Sequence, residues 1–129
     1  MKASQTIMPR FAVLIHDHPF LHWDFLLEQG ESCRTWRLLK APDTPGDIPA
    51  EAIADHRLMY LDYAGPVSGN RGNVTQWDAG TFEWLVHGDE HVEVRLTGRK
   101  LIGLARFWRD EDSCWTLRLT ASASGVSPL

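Results

Sequence analysis

Hydrophobic and polar residues alternate along this chain in short runs that are separated by turn-forming residues. The clearest run spans residues 91–96, where Val92, Val94 and Leu96 fall on one side and polar residues on the other. A period of two residues is typical of a β-strand that buries one face. Seven further runs, several of them rich in aromatic and β-branched residues, are predicted as strands: residues 10–16, 21–28, 33–40, 74–77, 82–86, 104–108 and 114–119.

Between these runs lie Gly, Pro, Asp and Asn residues, which form turns. One predicted turn, at residues 78–80, separates the strands expected at 74–77 and 82–86. Only residues 49–55 favour a helical turn, because Pro49 and Glu51 suit the start of a helix. We therefore predict an all-β fold, a compact closed β-barrel of about eight strands with at most short helical turns, since closure removes exposed strand edges.

Length and composition indicate a single core. The chain has 129 residues, of which 43% are hydrophobic and six are tryptophan. It is long enough to bury one core and too short for two ordinary domains, so we expect one domain over residues 1–129. We expect its core to span residues 8–120 and the small, polar tail at residues 121–129 to fray.

Charge and cysteine content limit the classes of function. There are 13 Lys and Arg residues against 17 Asp and Glu, so a phosphate-bearing partner needs a local site rather than a global basic surface. Cys33 and Cys114 are too few and too far apart for a secreted disulfide scaffold. A secretion signal and a run of ~20 apolar residues are both missing, so we expect a cytoplasmic protein without a membrane partner.

The predicted strand at residues 21–28 carries two metal-binding side chains on one face. Alternation places His22 and Asp24 there, opposite the apolar Trp23 and Phe25. Imidazole and carboxylate together suit Mn, Fe or Zn better than Ca or Mg. The sequence therefore predicts a divalent-metal site on the surface of the domain, at this face of the strand.

A third ligand is expected from His16, which ends the preceding strand and can return beside His22 through the turn at residues 17–19. Two histidines and a carboxylate on one side of an ion leave positions open for water and substrate. His18 supports an alternative, a cupin-like metal barrel in which His16 and His18 form the metal-binding pair.

The pattern HDxxxLHxDFxLE over residues 16–28 resembles the signature of the 3′-phosphoesterase domain of bacterial DNA ligase D and its stand-alone relatives. The likeness covers residues 10–119. It continues through a series of further segments: TWRLLK at 35–40, DHRLMY at 55–60, the Gly-rich residues 69–72, WDAGT at 77–81 and GRKLIG at 98–103.

This resemblance implies a Mn²⁺-dependent β-barrel that trims 3′-ribonucleotides and removes 3′-phosphates at DNA ends during repair. Zn²⁺ and Co²⁺ are alternative metals. The expected substrate is a nucleic-acid 3′ end or another phosphate ester, and a DNA ligase or repair polymerase acting in trans is a candidate partner. A second hypothesis is a relative that binds metal and a nucleic-acid end without turnover, as a recognition module.

Carried over residue by residue, the family's metal ligands fall on His16, His22 and Asp24, the same three residues that spacing selects. Its phosphate-contacting residues fall on His56 and Tyr60. The resemblance implies that these five residues form the catalytic site.

Two further positions match the family, and three features of the chain depart from it. Lys40 and Glu28 match polar positions, so we expect Lys40 to bind substrate and Glu28 to support the ligands. The family's Arg two residues after the metal-binding Asp is replaced by Leu26, and an acidic residue by Ala54. Residues 46–55 also lack the expected Lys or Arg.

Leucine supplies none of the bidentate contacts that arginine makes to a phosphate. Arg37 is the expected substitute, because a hairpin that turns near Glu31 would place Arg37 opposite Leu26. We therefore expect Arg37 to bind substrate.

Overall fold

The structure is a computed structural model, and it describes residues 7–121. The expected frayed tail lies outside these residues, apart from Ala121. Nine strands and one short 3₁₀ helix, Leu58–Leu61, follow one another along the chain. The strands are β1 (Arg10–His16), β2 (His22–Gln29), β3 (Ser32–Leu38), β4 (Ile48–Arg57), β5 (Gly65–Pro66), β6 (Asn73–His87), β7 (His91–Gly98), β8 (Ile102–Arg109) and β9 (Trp115–Ala121).

Eight of these strands form a closed antiparallel ring. Its order is β1-β2-β3-β4-β9-β8-β7-β6, and it closes where β6 pairs with β1. The two-residue strand β5 pairs with β6 outside the ring. The prediction of a closed all-β fold of about eight strands is confirmed. Within residues 7–121, no helix is long and apolar enough to cross a membrane.

The predicted helical turn at residues 49–55 is wrong, because these residues belong to β4. This strand connects two others, since Ala50 pairs with both Leu38 of β3 and Trp115 of β9. The Pro, Ala and Glu residues of this segment have only a weak local preference, and tertiary pairing overrides such preferences. Without β4 the ring would stay open between β3 and β9.

The predicted turn at residues 78–80 is also wrong, because these residues lie inside the long strand β6. Gly80 is required there for close approach, since a Cβ atom on it would lie 2.0 Å from the Thr97 carbonyl oxygen of β7. A β-bulge at Trp77 changes the register between β1 and β6. The two predicted strands are therefore halves of one bent strand.

Asp78, beside this bulge, is a buried carboxylate that holds the turn between β7 and β8. It accepts hydrogen bonds from the backbone amides of Arg99, Lys100 and Leu101, at 2.8, 3.1 and 2.9 Å. Gly98 leaves room for it, since a Cβ atom there would lie 2.5 Å from Asp78 Oδ2. The WDAGT and GRKLIG segments are therefore joined by a structural contact.

Apolar residues form two clusters, one inside the ring and one outside it. All eight ring strands contribute to the inner core, whose largest side chains are those of Trp36, Phe11, Phe25, Phe82 and Phe107. The outer cluster lies on the other face of β1, β2 and β3, under the 3₁₀ helix and the segment that follows it. Its buried members are Ala12, Leu14, Leu26, Cys33, Leu61, Val67 and Val74.

Leu26 is fully buried in this outer cluster, so an arginine at position 26 would be confined among apolar side chains. Alternation correctly places it on the same strand face as His22 and Asp24. That face is covered at position 26 rather than open to a substrate, so Leu26 does not line the cavity of the site described below.

We predict that Asp78→Ala lowers the free energy of unfolding by about 3 kcal/mol, because three backbone amides lose a buried, charged acceptor. Urea unfolding followed by tryptophan fluorescence measures the change. Asp110→Ala is the control, because Asp110 is exposed and accepts two backbone amides, from Asp112 and Cys114. Equal losses in the two variants would contradict the role assigned to Asp78.

We predict that Leu26→Arg lowers the free energy of unfolding by about 3 kcal/mol or more, because it buries an unpaired charge. Leu21→Arg makes the same change at a residue that is 57% exposed, and it should change stability by only about 0.5 kcal/mol. The urea titration used for Asp78 gives both values. A Leu26→Arg protein as stable as the unmodified chain would contradict the buried placement.

Candidate metal and phosphate site

Pairing between β1 and β2 brings three candidate ligands together. In this register His16 lies directly opposite His22, and Leu14 lies opposite Asp24. Directly opposed residues of an antiparallel pair project from the same face, which places both imidazoles beside the Asp24 carboxylate. One ligand atom from each of His16, His22 and Asp24 lies within 4.8 Å of the others.

The closest atoms in this group are both hydrogen-bond acceptors when His22 is neutral. His22 Nε2 lies 3.1 Å from Asp24 Oδ1, and both atoms are buried without a hydrogen-bond partner among the described residues. His16 Nδ1 lies 3.6 Å from Asp24 Oδ2. Lone pairs that face each other in a buried site need a shared proton or a cation between them.

Backbone carbonyls orient both imidazoles. His22 Nδ1 donates to the Phe20 carbonyl oxygen at 2.8 Å, and His16 Nε2 donates to the Arg71 carbonyl oxygen at 2.9 Å. A carbonyl oxygen can only accept, so the opposite ring nitrogen of each neutral histidine has a free lone pair directed toward Asp24. This donor set, two oriented imidazoles and a carboxylate, fits a divalent transition metal.

Asp24 is held as a carboxylate by its neighbours. Burial raises the pKa of Asp24. The contact with His56 and the nearby imidazoles of His22 and His16 lower it, and together they outweigh burial, so the pKa lies below its usual value. His56 Nε2 lies 3.5 Å from Asp24 Oδ2. The ionised form is the one that binds a metal.

His56 and Tyr60, the residues carried over as phosphate contacts, lie beside this group. His56 is near the end of β4 and Tyr60 is in the 3₁₀ helix, and their ring centroids are 5.7 Å apart. Both line the same cavity as His16 and Asp24. The strand and the helix meet at Arg57, which brings residues of two different elements to one wall.

The cavity has a volume of about 540 Å³ and a cationic lining. Arg37, Arg57 and Arg71 line it, together with the acidic residues Asp24 and Asp55. Sequence reasoning selected Arg37 and missed the other two. Arg57 directly follows His56, and Arg71 lies in the Gly-rich segment, but neither position has a spacing signal that points to the site.

Arg37 reaches the cavity through a register that differs from the predicted one. It lies opposite Asp24 in the β2–β3 pairing, whereas Leu26 lies opposite Thr35. The predicted Leu26–Arg37 pairing is therefore wrong, because the hairpin turn begins one residue earlier than expected. The observed register places Arg37 directly opposite Asp24, two residues closer to the His22 end of β2 than the predicted pairing with Leu26.

The structure corrects three expectations: the surface location of the metal site and the places of Lys40 and Glu28. The candidate metal ligands do not form a surface site, because His22 and Asp24 are 0% and 1% exposed. Lys40 is exposed after β3 and does not line the cavity. Glu28 lies at the far end of β2, where it accepts a hydrogen bond from the Arg10 amide at 2.8 Å, and it lines a separate cavity. Neither Lys40 nor Glu28 therefore lies in the site.

His18 lies close to the three candidate ligands without joining them. It lines the cavity, and its ring centroid is 6.4 Å from that of His16. Within the described part of the chain, the one group of potential metal ligands consists of His16, His22 and Asp24. The geometry therefore favours these three over the His16–His18 pair of a cupin-like site.

Comparison with known proteins identifies the family of this chain. Residues 15–109 match the family model described as the DNA Ligase D 3′-phosphoesterase domain. The chain is similar to the multifunctional non-homologous end joining protein LigD of Pseudomonas aeruginosa, with 31% identity over 112 residues, which cover 79% of this chain. It spans 13% of the length of that relative. The chain belongs to the DNA ligase D 3′-phosphoesterase domain family.

Proposed function

We propose that this protein is a metal-dependent phosphoesterase that removes 3′-phosphates and 3′-ribonucleotides from DNA ends. One observation carries the proposal: His22 Nε2 and Asp24 Oδ1 are buried 3.1 Å apart without hydrogen-bond partners among the described residues. A divalent cation would satisfy both atoms. The cavity beside them is lined by cationic side chains, which suit a phosphate ester.

His16 Nδ1, His22 Nε2 and an Asp24 oxygen would hold the metal. Mn²⁺ is our first candidate, with Zn²⁺ and Co²⁺ as alternatives, because mixed imidazole and carboxylate ligands suit all three. A metal at this position supplies Lewis-acid polarisation of a phosphoryl oxygen. The Phe20 and Arg71 carbonyls keep the two imidazoles oriented for this role.

In this proposal His56 and Tyr60 bind the phosphoryl oxygens. A protonated imidazole and a phenol can both donate to an oxyanion, and both groups lie on the wall of the cavity. The contact between His56 and Asp24 couples the phosphate-binding group to the metal-binding group. The residues are therefore placed to stabilise charge that develops on a phosphate.

The substrate and partners are inferred from the family. The matched domain is described as a 3′-phosphoesterase, and the relative is named as a protein of non-homologous end joining. We accordingly propose a nucleic-acid 3′ end as substrate and a DNA ligase or repair polymerase as a partner acting in trans, in the cytoplasm.

We predict that His22→Ala and Asp24→Ala each abolish stoichiometric Mn²⁺ binding, because two remaining ligands cannot retain the ion against water. Metal analysis after gel filtration measures the content. His91→Ala is the matched control, since His91 also contacts a carboxylate, that of Glu93, but lies outside the cavity. His18→Ala should keep its metal. Loss of metal in His18→Ala, with retention in Asp24→Ala, would favour the cupin-like alternative.

We predict Mn²⁺-dependent release of phosphate from a primer-template that ends in a 3′-phosphate, and trimming of a primer that ends in a 3′-ribonucleotide. His56→Ala should reduce turnover while metal content stays stoichiometric, because His56 contacts the phosphate and not the ion. Gel analysis of the primer and phosphate release give the rates. Metal binding without turnover on either primer would contradict the proposal and favour the recognition module.

A further inference from the structure

Three arginines line the cavity beside the candidate metal ligands. The family's own arginine position is occupied by Leu26 in this chain. Arg37 comes from β3, Arg57 ends β4, and Arg71 lies in the segment between β5 and β6. The acidic residues on the same lining are Asp24 and Asp55. Since Asp24 belongs to the metal-binding group, the remaining side chains carry an excess of positive charge.

Arg37 has hydrogen-bonding capacity that the described residues do not use. Its Nε atom is buried without a partner, and its Nη1 atom lies 3.9 Å from Glu51 Oε1, beyond hydrogen-bond distance. The guanidinium carbon lies 5.6 Å from the Phe20 ring centroid, a stacking contact that limits its freedom. An unpartnered buried Nε calls for an acceptor. The side chain as a whole is 27% exposed, so its remaining N–H groups have access to the cavity that it lines.

Arg71 is held in place by its own loop. Its Nε atom donates to the Ser68 carbonyl at 2.6 Å, and Nη2 donates to Ser68 Oγ at 3.2 Å. The Arg71 carbonyl also accepts from His16 Nε2. The loop therefore fixes a guanidinium and a candidate metal ligand together.

Arg57 completes the set on the wall that carries His56. Among the described residues it forms no ion pair within 4.0 Å and no side-chain hydrogen bond. Arg57 is exposed, so its guanidinium breaks no ion pair or hydrogen bond to the described residues when it contacts an anion in the cavity that it lines.

We propose that Arg37, Arg57 and Arg71 form a subsite for a terminal phosphate monoester beside the metal. This inference rests on the proposed function and names its preferred substrate class. The subsite takes the place of the phosphate contact that the resemblance implies for the family's arginine, because Leu26 stands at that position and is buried under the 3₁₀ helix. The replacement comes from the next strand, from the end of β4 and from the loop beyond it.

Charge explains the preference for a monoester. A phosphate monoester carries a charge of about −1.5 to −2 near neutral pH, whereas a diester carries one negative charge. Several convergent guanidinium groups bind a dianion with more charge-assisted hydrogen bonds than a monoanion can accept. We therefore expect the site to prefer a 3′-phosphate over a 3′-ribonucleotide linkage.

The first test measures binding by the metal-free protein. Fluorescence anisotropy compares a labelled single-stranded oligonucleotide that ends in a 3′-phosphate with the same oligonucleotide ending in a 3′-hydroxyl. We expect the 3′-phosphate form to bind about tenfold tighter, and Arg37→Gln or Arg57→Gln each to remove most of that difference. Arg37→Lys should retain part of it, because the charge remains while the planar fork is lost.

Arg95→Gln is the control, because Arg95 is an exposed residue of β7 that pairs with Glu83 and does not line the cavity. It should leave the preference unchanged. Equal binding of the two oligonucleotides by the unmodified protein would overturn the subsite. A loss that affects both oligonucleotides equally in Arg37→Gln would also overturn it, since that result indicates general attraction to nucleic acid.

The second test separates this inference from the proposed function. In the Mn²⁺-loaded protein, Arg37→Gln and Arg57→Gln should raise KM for the 3′-phosphate primer about tenfold and keep stoichiometric metal. Absence of turnover in the unmodified protein, with the binding preference intact, would refute the enzyme but not the subsite. Normal turnover with unchanged KM in both variants would refute the subsite but not the enzyme.

Discussion

The pairing of β1 with both of its neighbours is the constraint on which the site depends. On one side β1 pairs with β2, which places His16 opposite His22 and Leu14 opposite Asp24. On the other side it pairs with β6 and closes the ring. A slip of one residue in β1 would turn His16 toward the inner core and separate it from Asp24. The register of β1 therefore both closes the ring and brings the three candidate ligands together.

The buried polar atoms of this group have a cost that the fold must offset. An unpaired buried acceptor costs about 1–3 kcal/mol, and both His22 Nε2 and Asp24 Oδ1 lie in that condition among the described residues. The inner core, with contributions from all eight ring strands, supplies the apolar burial that offsets this cost. Unpaired polar atoms that a rigid scaffold holds close together are characteristic of a binding site that a ligand completes.

The cover over the outer face links the proposed phosphate contacts to the candidate metal ligands. The 3₁₀ helix brings Tyr60 to the cavity, and the segment that follows brings Arg71, whose carbonyl orients His16. The same cover buries Leu26. This apolar packing is incompatible with an arginine at position 26, because the guanidinium would be enclosed by apolar side chains. The cationic groups consequently lie around the rim of the site rather than beside Asp24 on its own strand.

The sequence by itself determined the alternation that forms most strands, and the spacing of His16, His22 and Asp24, because both depend on residues close together along the chain. It also carried the motifs of the family. Only the tertiary structure decided that residues 48–57 form a strand, since that choice depends on pairing with β3 and β9. It likewise decided that Arg37, Arg57 and Arg71 share one cavity, because strand register and loop packing are long-range properties that local pattern does not contain.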